Sequence, residues 1–442
     1  MTTGRPLWRV ALAHLVYNLL LHMACLMAVA PWLVRVARDR RQWSWTLCRL
    51  GRLPPGRPQG QTIWVHAVSV GEVKASRTLI AALQRQAGDA TVVLSTGTIT
   101  GQDTAHQLFP ELYVFAWPLD FPLVTASVLR RMNPRQVVMV ELEVWPSFSR
   151  QADRAGVPQI IVNGRVSQSS YGTYRRFCWW LPEFDRLTLV AAQTDEYAAR
   201  IADLGVPRSR IEVTGNLKHD LTQPASREEV AGLAEELAFR TDLPVFVAGS
   251  THDGEDEPVI DAWLAAGGAA TSQLVIVPRH LDRLKDIGRL LRRKELTWVA
   301  RSACPCPREQ GAVLLVDTMG ELEALFGLAD VVFLGGSLVP VGGHNVLEPA
   351  AASCPVLTGP WVETCRFEAD ALEPAEGLEV VQNGAALGVA LERLLANPKL
   401  AKRRGAAARK VAESLAGATD RTMALLNRLD LATGTLLDPP AQ

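Results

Sequence analysis

The stretch from Ile63 to Thr96, IWVHAVSVGEVKASRTLIAALQRQAGDATVVLST, contains two short apolar runs on either side of a helical pattern. The runs IWVHAVSV (63–70) and TVVLST (91–96) are continuous in hydrophobicity, which is typical of parallel strands covered on both faces. The pattern between them, Val73–Gln86, has the spacing of a helix. Strand, helix and strand in this order predict a βαβ unit and therefore a parallel sheet.

The same alternation continues along the rest of the chain, with a helical segment at Gln102–Leu108. The further apolar runs are QVVMVE (136–141), QIIVN (159–163), LTLVAAQ (187–193), PVFVAGS (244–250), QLVIV (273–277), AVLLVD (312–317), DVVFLGG (330–336) and PVLTG (355–359). A polar helical segment at about 220–243 separates two series. We therefore expect two doubly wound α/β domains, 43–225 and 226–442, with the helical pattern Gly384–Leu429 in the second. Such sheets bind ligands beyond the carboxyl ends of their strands, so a cleft between facing domains is the expected site.

Composition excludes several classes of protein. The 442 residues include 46 Lys plus Arg and 46 Asp plus Glu, and this balance argues against a nucleic-acid binder. Hydrophobic residues make up 48%, which excludes a disordered chain. The seven cysteines have no regular spacing, so no disulfide framework is expected, and Cys304-Pro-Cys306 is interpreted as a structural loop pair. The sequence has no D-x-D pair that would hold a divalent metal on a diphosphate.

The N-terminal segment, 1–42, differs from the rest of the chain. Val10–Val34 carries no formal charge and is long enough to cross a hydrocarbon core. The arginines that follow this apolar segment are Arg35, Arg38, Arg40 and Arg41. The positive-inside rule then places the domains in the cytoplasm. We expect residues 7–41 to attach the chain to the cytoplasmic side of the inner membrane.

How this segment meets the membrane stays open at the level of sequence. His14, Asn18 and His22 recur every four residues and share one helical face, which is costly against lipid. The helix either spans the bilayer or lies in its interface with the apolar side down. A signal peptide is a third interpretation, because Ala28-Val29-Ala30 has the small-x-small pattern, but Pro31 and the arginines argue against it.

Acidic side chains follow two predicted strands of the first domain. In HAVSVGEV (66–73), Glu72 opens a helix directly after a strand, where it acts as a general base or merely complements the helix dipole. In VELEVWP (140–146), Glu141 and Glu143 follow another strand, and Arg165 or Lys218 is the expected partner. A structural ion-pair cluster is the alternative interpretation.

The second domain offers an anion site. Arg279 follows the strand that ends in VPRH (277–280), and FLGGSLVPVGGHNVLEPA (333–350) contains glycines whose backbone N–H groups can reach an anion. Asn345 and Glu348 lie three residues apart at the start of a helix, where a Glu can accept from a ribose diol. A glycine-rich turn alone is most simply an ordinary tight loop; the combination with Asn, Glu and Arg favours a nucleotide site.

These motifs, in this order, resemble the family of Kdo transferases, which add 3-deoxy-D-manno-oct-2-ulosonic acid (Kdo) to the lipid A precursor in lipopolysaccharide synthesis. The resemblance covers about residues 60–425. It rests on the blocks HAVSVGEV, STGTITG, PLD, ELEVWP, NGRVS, TGNLK, AGSTHDGE, PRH, DTMGEL and GGSLVPVGGHNVLEPA. It implies the GT-B fold, inversion at the anomeric carbon, CMP-Kdo as donor, a lipid A precursor as acceptor, and no metal or other cofactor.

The resemblance also implies roles for single residues. Glu72 would be the proton acceptor, and Glu141 and Lys218 would stabilise the transition state, with Glu143 as a neighbour of Glu141. The implied CMP-binding positions are Pro278, Arg279, Met319, Gly320, Glu321, Asn345, Val346, Leu347 and Glu348.

One loop departs from the family pattern, because Trp361 follows Gly359-Pro360 and Arg366 precedes Phe367. Ligand contacts in this loop are therefore not carried over from the family. Two other functions remain as alternatives: a nucleotide-sugar epimerase of the same shape, and a membrane-tethered nucleotide-sugar binding protein without catalysis.

Overall fold

The computed structural model describes residues 7–178, 180, 183–304, 311–430 and 435–436. The chain divides into two compact units, Met1–Leu221 with Ala416–Gln442, and Thr222–Leu415. We call them the first and the second domain. Cys306 and most of the C-terminal tail lie outside the described residues.

The first domain contains a parallel sheet of seven strands in the order β3-β2-β1-β4-β5-β6-β7. Its strands are β1 (Thr62–Ala67), β2 (Thr91–Thr96), β3 (Tyr113–Ala116), β4 (Pro134–Val140), β5 (Gln159–Gly164), β6 (Leu189–Ala192) and β7 (Ile211–Val213). Its helices up to Leu221 are α1 (Leu7–Arg38), α2 (Arg41–Arg49), α3 (Val70–Ala75), α4 (Arg77–Gln86), α5 (Ile99–Leu108), α6 (Pro122–Met132), α7 (Pro146–Arg154), α8 (Gln168–Cys178) and α9 (Asp195–Asp203).

The strands are continuously hydrophobic because both faces of the sheet are covered, as expected. Every residue of β1 is buried, and successive side chains enter two separate cores. Ile63 and Val65 belong to the core on one face of the sheet, and Trp64 belongs to the other, where it contacts the rings of Phe115 and Phe148. A strand with helices on both faces cannot alternate apolar and polar residues.

The second domain contains another parallel sheet of seven strands, in the order β10-β11-β9-β8-β12-β13-β14. Its strands are β8 (Val245–Thr251), β9 (Gln273–Pro278), β10 (Trp298–Ala300), β11 (Val313–Leu315), β12 (Val331–Leu334), β13 (Val356–Thr358) and β14 (Leu378–Val380). Its helices are α10 (Arg227–Glu236), α11 (Asp256–Ala265), α12 (Leu284–Arg293), α13 (Leu322–Leu328), α14 (Leu347–Ala351), α15 (Arg366–Leu372), α16 (Gly384–Leu395) and α17 (Pro398–Leu415). The predicted pair of parallel-sheet α/β domains is therefore confirmed.

The predicted extent of the second domain is wrong at its end. The chain returns to the first domain at Ala416, and helix α18 (Ala418–Asn427) packs there. The carboxylate of Asp220 accepts hydrogen bonds from the backbone N–H groups of Gly417, Ala418 and Thr419, at 2.6, 3.0 and 2.5 Å. A carboxylate at a helix N-terminus stabilises the helix, so Asp220 fixes α18 to the first domain.

Strand ends differ from the predictions by a few residues. The first strand ends at Ala67 rather than Val70, because Ser69 caps the following helix. The predicted helix Val73–Gln86 is two helices, α3 and α4, which meet at Ser76. Short strands at the sheet edges, such as β7 and β14, have three residues each and too few apolar positions for a periodicity to appear.

Helix α1 contains 32 residues. Its portion Trp8–Arg38 is long and apolar enough to cross a membrane, a property that signal sequences and buried core helices share.

Candidate functional site

Glu72 lies at the N-terminus of α3, directly beyond the carboxyl end of β1. Its Oε2 accepts a hydrogen bond from the Val68 N–H at 2.8 Å, and its Oε1 accepts one from the Ser69 hydroxyl at 2.8 Å. Ser69 in turn accepts from the Glu72 N–H at 3.4 Å and caps the helix. The reciprocal contacts hold the carboxylate in one orientation.

The position of Glu72 in the sheet is the one where α/β proteins bind ligands. Strand β1 lies between β2 and β4, and the order of the strands reverses at the pair β1–β4. Loops that follow such a pair separate and leave a crevice at the carboxyl ends of the strands. Glu72 follows β1, and Glu141 follows β4.

Glu141 has an unusual backbone. Its φ is 61°, in the left-handed region that few residues other than glycine adopt. Its N–H donates to the Val162 carbonyl at 2.9 Å, which continues the pairing of β4 with β5 by one residue. Strain of this kind clusters at functional sites.

Lys218 pairs with this carboxylate. Its Nζ lies 4.0 Å from Glu141 Oε1, and both side chains are partly exposed. The buried Asn163 side chain positions the lysine, because its Oδ1 accepts from the Leu217 N–H at 3.0 Å. Arg165, the other candidate partner, is exposed.

Glu143 completes a group of three carboxyls. Burial raises its pKa to about 7, and the charges of Glu72 and Glu141 add to this effect, against a hydrogen bond from Trp145 Nε1 at 2.8 Å. Burial also raises the pKa of Glu72, with hydrogen bonds from Val68 and Ser69 opposing it and the charge of Glu141 adding to it. The charge of Glu141 therefore raises the pKa of both other carboxyls.

Asp120 supports the loop that carries these carboxyls, and the sequence singled it out only as part of the block PLD. Its carboxylate is buried and accepts from the N–H groups of Ser147 and Phe148, at 2.8 and 2.7 Å. These groups belong to the first turn of α7, which follows Glu143 and Trp145 directly. Asp120 therefore fixes the far end of the loop.

In the second domain, the strand order reverses at the pair β8–β12. The fully buried Glu255 links the loop after β8 to the turn after β12. Its Oε2 accepts from the N–H groups of His252 and Gly336, at 2.8 and 2.7 Å. Its Oε1 accepts from those of Ser337 and Leu338, at 2.9 and 2.8 Å. One carboxylate thus holds the glycine turn after β12, where a Cβ on Gly335 would lie 2.5 Å from the Ser250 carbonyl oxygen.

The implied nucleotide-binding residues of this domain differ in how far their side chains are exposed. Pro278 is buried at the end of β9, whereas the side chain of Arg279 is exposed. Asn345 is exposed, and its Nδ2 donates to Glu348 Oε1 at 3.0 Å. Burial raises the pKa of Glu348, with the Asn345 hydrogen bond opposing it and the charge of Glu323 adding to it.

Val346 and Leu347 are core residues, 0% and 1% exposed, so neither presents its side chain at the surface. Met319 is 68% exposed, next to Gly320 with a φ of 89°. The Glu321 carboxylate accepts from Arg301 Nη2 at 2.6 Å and from the Thr318 hydroxyl. The implied role of Glu321 therefore competes with an ion pair inside the domain.

Three histidines lie beside Arg279 and were not predicted. His252 Nε2 and His344 Nε2 are 2.8 Å apart in a stacked pair, and the His280 ring lies 5.6 Å from that of His252. Burial lowers the pKa of His252 and of His344, and the charge of Arg279 adds to both shifts. Each of the three histidines lies in a sequence motif that follows a strand of this sheet. Their positions after neighbouring strands could therefore have predicted that they lie close together. Among the described residues, no group of three or more His, Cys, Asp and Glu side chains is arranged to hold a metal ion.

Comparison with known proteins identifies the family. A family model described as 3-deoxy-D-manno-octulosonic-acid transferase (kdotransferase) matches residues 46–221. A 3-deoxy-D-manno-octulosonic acid transferase of Bordetella pertussis is 36% identical over 423 residues, 90% of this chain and 96% of that protein. One of Haemophilus influenzae is 33% identical over 375 residues, 84% of this chain and 87% of that protein.

The chain belongs to the Kdo transferase family. It is therefore a glycosyltransferase, and the predicted family is confirmed. Among solved structures, a UDP-GlcNAc 2-epimerase of Neisseria meningitidis superposes with a TM-score of 0.57 at 12% identity, over 82% of this chain and 98% of that one. This likeness concerns the fold alone and agrees with the predicted GT-B type.

The loop that departs from the Kdo transferase pattern lies against the second glycine turn. The Thr364 hydroxyl donates to the carbonyls of Gly342 and Gly343, at 2.9 and 2.6 Å. Trp361 is 43% exposed, and its N–H donates to the Ser337 carbonyl at 3.0 Å. The loop therefore supports the turn that leads to Asn345.

The three carboxyls Glu72, Glu141 and Glu143 predict a specific pH dependence of kcat/KM if Glu72 is the base of the Kdo transferase reaction. We expect Glu141→Gln to shift the acid limb of kcat/KM to lower pH, because it removes a negative charge that raises the pKa of Glu72. Glu143→Gln should leave this limb in place, because the charge that raises the pKa of Glu72 is that of Glu141, which this variant retains. The measurement is a pH–rate profile of each variant. Loss of the limb in Glu143→Gln would instead identify Glu143 as the base.

Proposed function

We propose that this chain transfers Kdo from CMP-Kdo to a hydroxyl of the lipid A precursor, with inversion at the anomeric carbon. The observation that carries the proposal is the Glu72 carboxylate, held by two hydrogen bonds at the reversal point of the first sheet, in a chain of the Kdo transferase family. We propose that the first domain binds the acceptor and supplies the base, and that the second binds CMP-Kdo.

The proposed reaction needs one base and a stabilised leaving group. The acceptor oxygen forms a bond to the anomeric carbon of Kdo as its proton passes to Glu72, and a positioned base contributes roughly 10²–10⁴-fold. The bond from the anomeric carbon to the phosphate oxygen breaks, and CMP leaves with the electron pair. Lys218 and Arg279 are the proposed cations that offset the negative charge. Glu141, paired with Lys218, is proposed to stabilise the transition state.

One assay separates this proposal from its rivals. CMP-Kdo labelled in the sugar is mixed with lipid A precursor and the full-length protein, with and without EDTA. Labelled lipid is the expected product, and its formation in EDTA would support our proposal that transfer needs no metal. A changed sugar without labelled lipid would indicate an epimerase, and CMP-Kdo binding without any product would indicate a binding protein.

We expect Arg279→Ala to raise the KM for CMP-Kdo by roughly 10- to 100-fold, because a charge-assisted hydrogen bond to the phosphate contributes about 1.5–3 kcal/mol. The control is Arg289→Ala, which removes an exposed arginine of the same domain that pairs with Asp286. Steady-state kinetics with varied CMP-Kdo measure the effect. Equal KM values for both variants would contradict a role of Arg279 in donor binding.

We also propose that α1 attaches the enzyme to the cytoplasmic face of the inner membrane. Its acceptor is a lipid, so attachment confines enzyme and acceptor to one surface and raises their rate of encounter. The apolar portion Trp8–Arg38 and the arginines that follow it support this location.

A further inference from the structure

The polar stripe of α1 faces the first domain. The His14 Nε2 atom lies 2.8 Å from Glu183 Oε1, and both side chains are almost fully buried. The Tyr17 hydroxyl donates to Asp120 Oδ2 at 2.9 Å, on a carboxylate that is itself buried. These contacts give His14 and Tyr17 polar partners in the first domain.

Further contacts lie along the same side of the helix. The Ser147 hydroxyl lies 3.4 Å from Asn18 Oδ1, and Trp32 Nε1 donates to the Thr46 hydroxyl of α2 at 2.8 Å. The helix is therefore fixed to the domain at positions more than a dozen residues apart.

The opposite side of α1 is apolar and uncovered. Its large side chains are between 45% and 72% exposed: Leu12, Leu15, Leu19, Leu20, Met23, Leu26, Met27, Val29, Leu33 and Val34. An apolar surface of this length on a soluble protein marks an interaction site.

A helix that crosses the bilayer would lose the contacts of its polar stripe. About 20 residues of an apolar helix lie in the hydrocarbon core, so a span centred within Val10–Val34 would place His14 and Tyr17 there. Their partners would either follow them into lipid or be left unpaired, at a cost of several kcal/mol for each polar group. Glu183 also pairs with Arg186 at 2.9 Å, which ties it to a charged surface of the domain.

We infer that α1 lies in the membrane surface, with its apolar side in the lipid and its polar stripe on the first domain. The apolar side of α1 contacts an anionic phospholipid leaflet, at the boundary between its headgroups and its acyl chains. Charge supports this occupant, because Arg35, Arg38, Arg40 and Arg41 are exposed at the end of the helix. The inference rests on the membrane attachment proposed above and specifies its geometry. It decides between the spanning and interfacial alternatives that the sequence left open.

The test uses sealed inside-out inner-membrane vesicles that contain the full-length protein with a protease-cleavable epitope fused before Met1. The domains then face the outer solution. If α1 lies in the surface, the epitope is on the same side and is cleaved without detergent. Cleavage only after detergent would show a spanning helix and overturn the inference. Failure to sediment with the vesicles would instead contradict membrane attachment itself, while the transfer assay reports separately on the activity.

A second measurement tests the lipid-facing side. We expect the triple change Leu15→Ser, Leu19→Ser and Met23→Ser to weaken binding to phosphatidylethanolamine–phosphatidylglycerol vesicles roughly tenfold or more. The melting temperature should be unchanged, because these side chains are 52–66% exposed in the folded chain. The control is Val389→Ser, at a position 67% exposed in the second domain, which should bind vesicles like the wild type. Unchanged binding of the triple variant would contradict the lipid contact.

Discussion

Replacing Glu72 by Gln is expected to lower kcat by roughly 10²–10⁴-fold and to leave the affinity for CMP-Kdo unchanged. The amide retains the shape of the carboxylate but cannot accept the acceptor's proton. It also fits the local hydrogen bonds: its oxygen can accept from the Val68 N–H, and its NH₂ group can donate to the Ser69 oxygen. The fold should therefore survive, and loss of turnover would report on chemistry.

Single-turnover kinetics and calorimetric titration with CMP-Kdo measure these two quantities. The matched control is Glu111→Gln, which alters a carboxylate of the same domain that contacts Gln84 on the surface. If Glu72 serves only the helix dipole, Glu72→Gln would retain wild-type turnover, and the assignment of the base would be wrong.

Glu255→Gln is expected to destabilise the second domain by about 3 kcal/mol or more, because an NH₂ group would face two backbone N–H donors that the carboxylate now satisfies. For a domain of this size, such a loss lowers the melting temperature by about 6–12 °C. The turn after β12 should also exchange its amide hydrogens faster, because it loses its anchor.

Thermal unfolding followed by circular dichroism, with hydrogen exchange of residues 336–338, checks this expectation. The control is Glu257→Gln, two residues further on, where the side chain is exposed and pairs with Lys294. An exposed ion pair contributes about 0–1 kcal/mol, so this variant should melt like the wild type. Equal melting of both variants would show that the buried carboxylate is dispensable.

The fold could be predicted from the sequence because buried parallel strands leave a strong signal. β1, β4 and β8 are continuous apolar runs between helical patterns, and each was found within a few residues. The four edge strands β3, β7, β10 and β14 were missed, since strands of three or four residues are too short to impose a recognisable pattern. The return of α18 to the first domain was missed because a helix pattern does not say which sheet it packs against.

Much of the first-domain site followed from position in the βαβ pattern. Glu72, Glu141 and Glu143 were expected beyond strand ends, and the charges of Glu72 and Glu141 do raise the pKa of Glu143. The pairing of Lys218 with Glu141 depends on a tertiary contact that the sequence left open between two cations. The buried anchors Asp120 and Glu255 could not be found, because their role lies in backbone N–H groups that carry no sequence signal.

The hydrogen bonds of Asp220 to the start of α18 have a consequence for biosynthesis. The second domain is one uninterrupted stretch, whereas the first is built from residues that precede and residues that follow that stretch. As the nascent chain leaves the ribosome, the second domain can acquire its fold while the first still lacks its last helix. Completion of the first domain therefore awaits the emergence of α18, which follows the whole second domain along the chain.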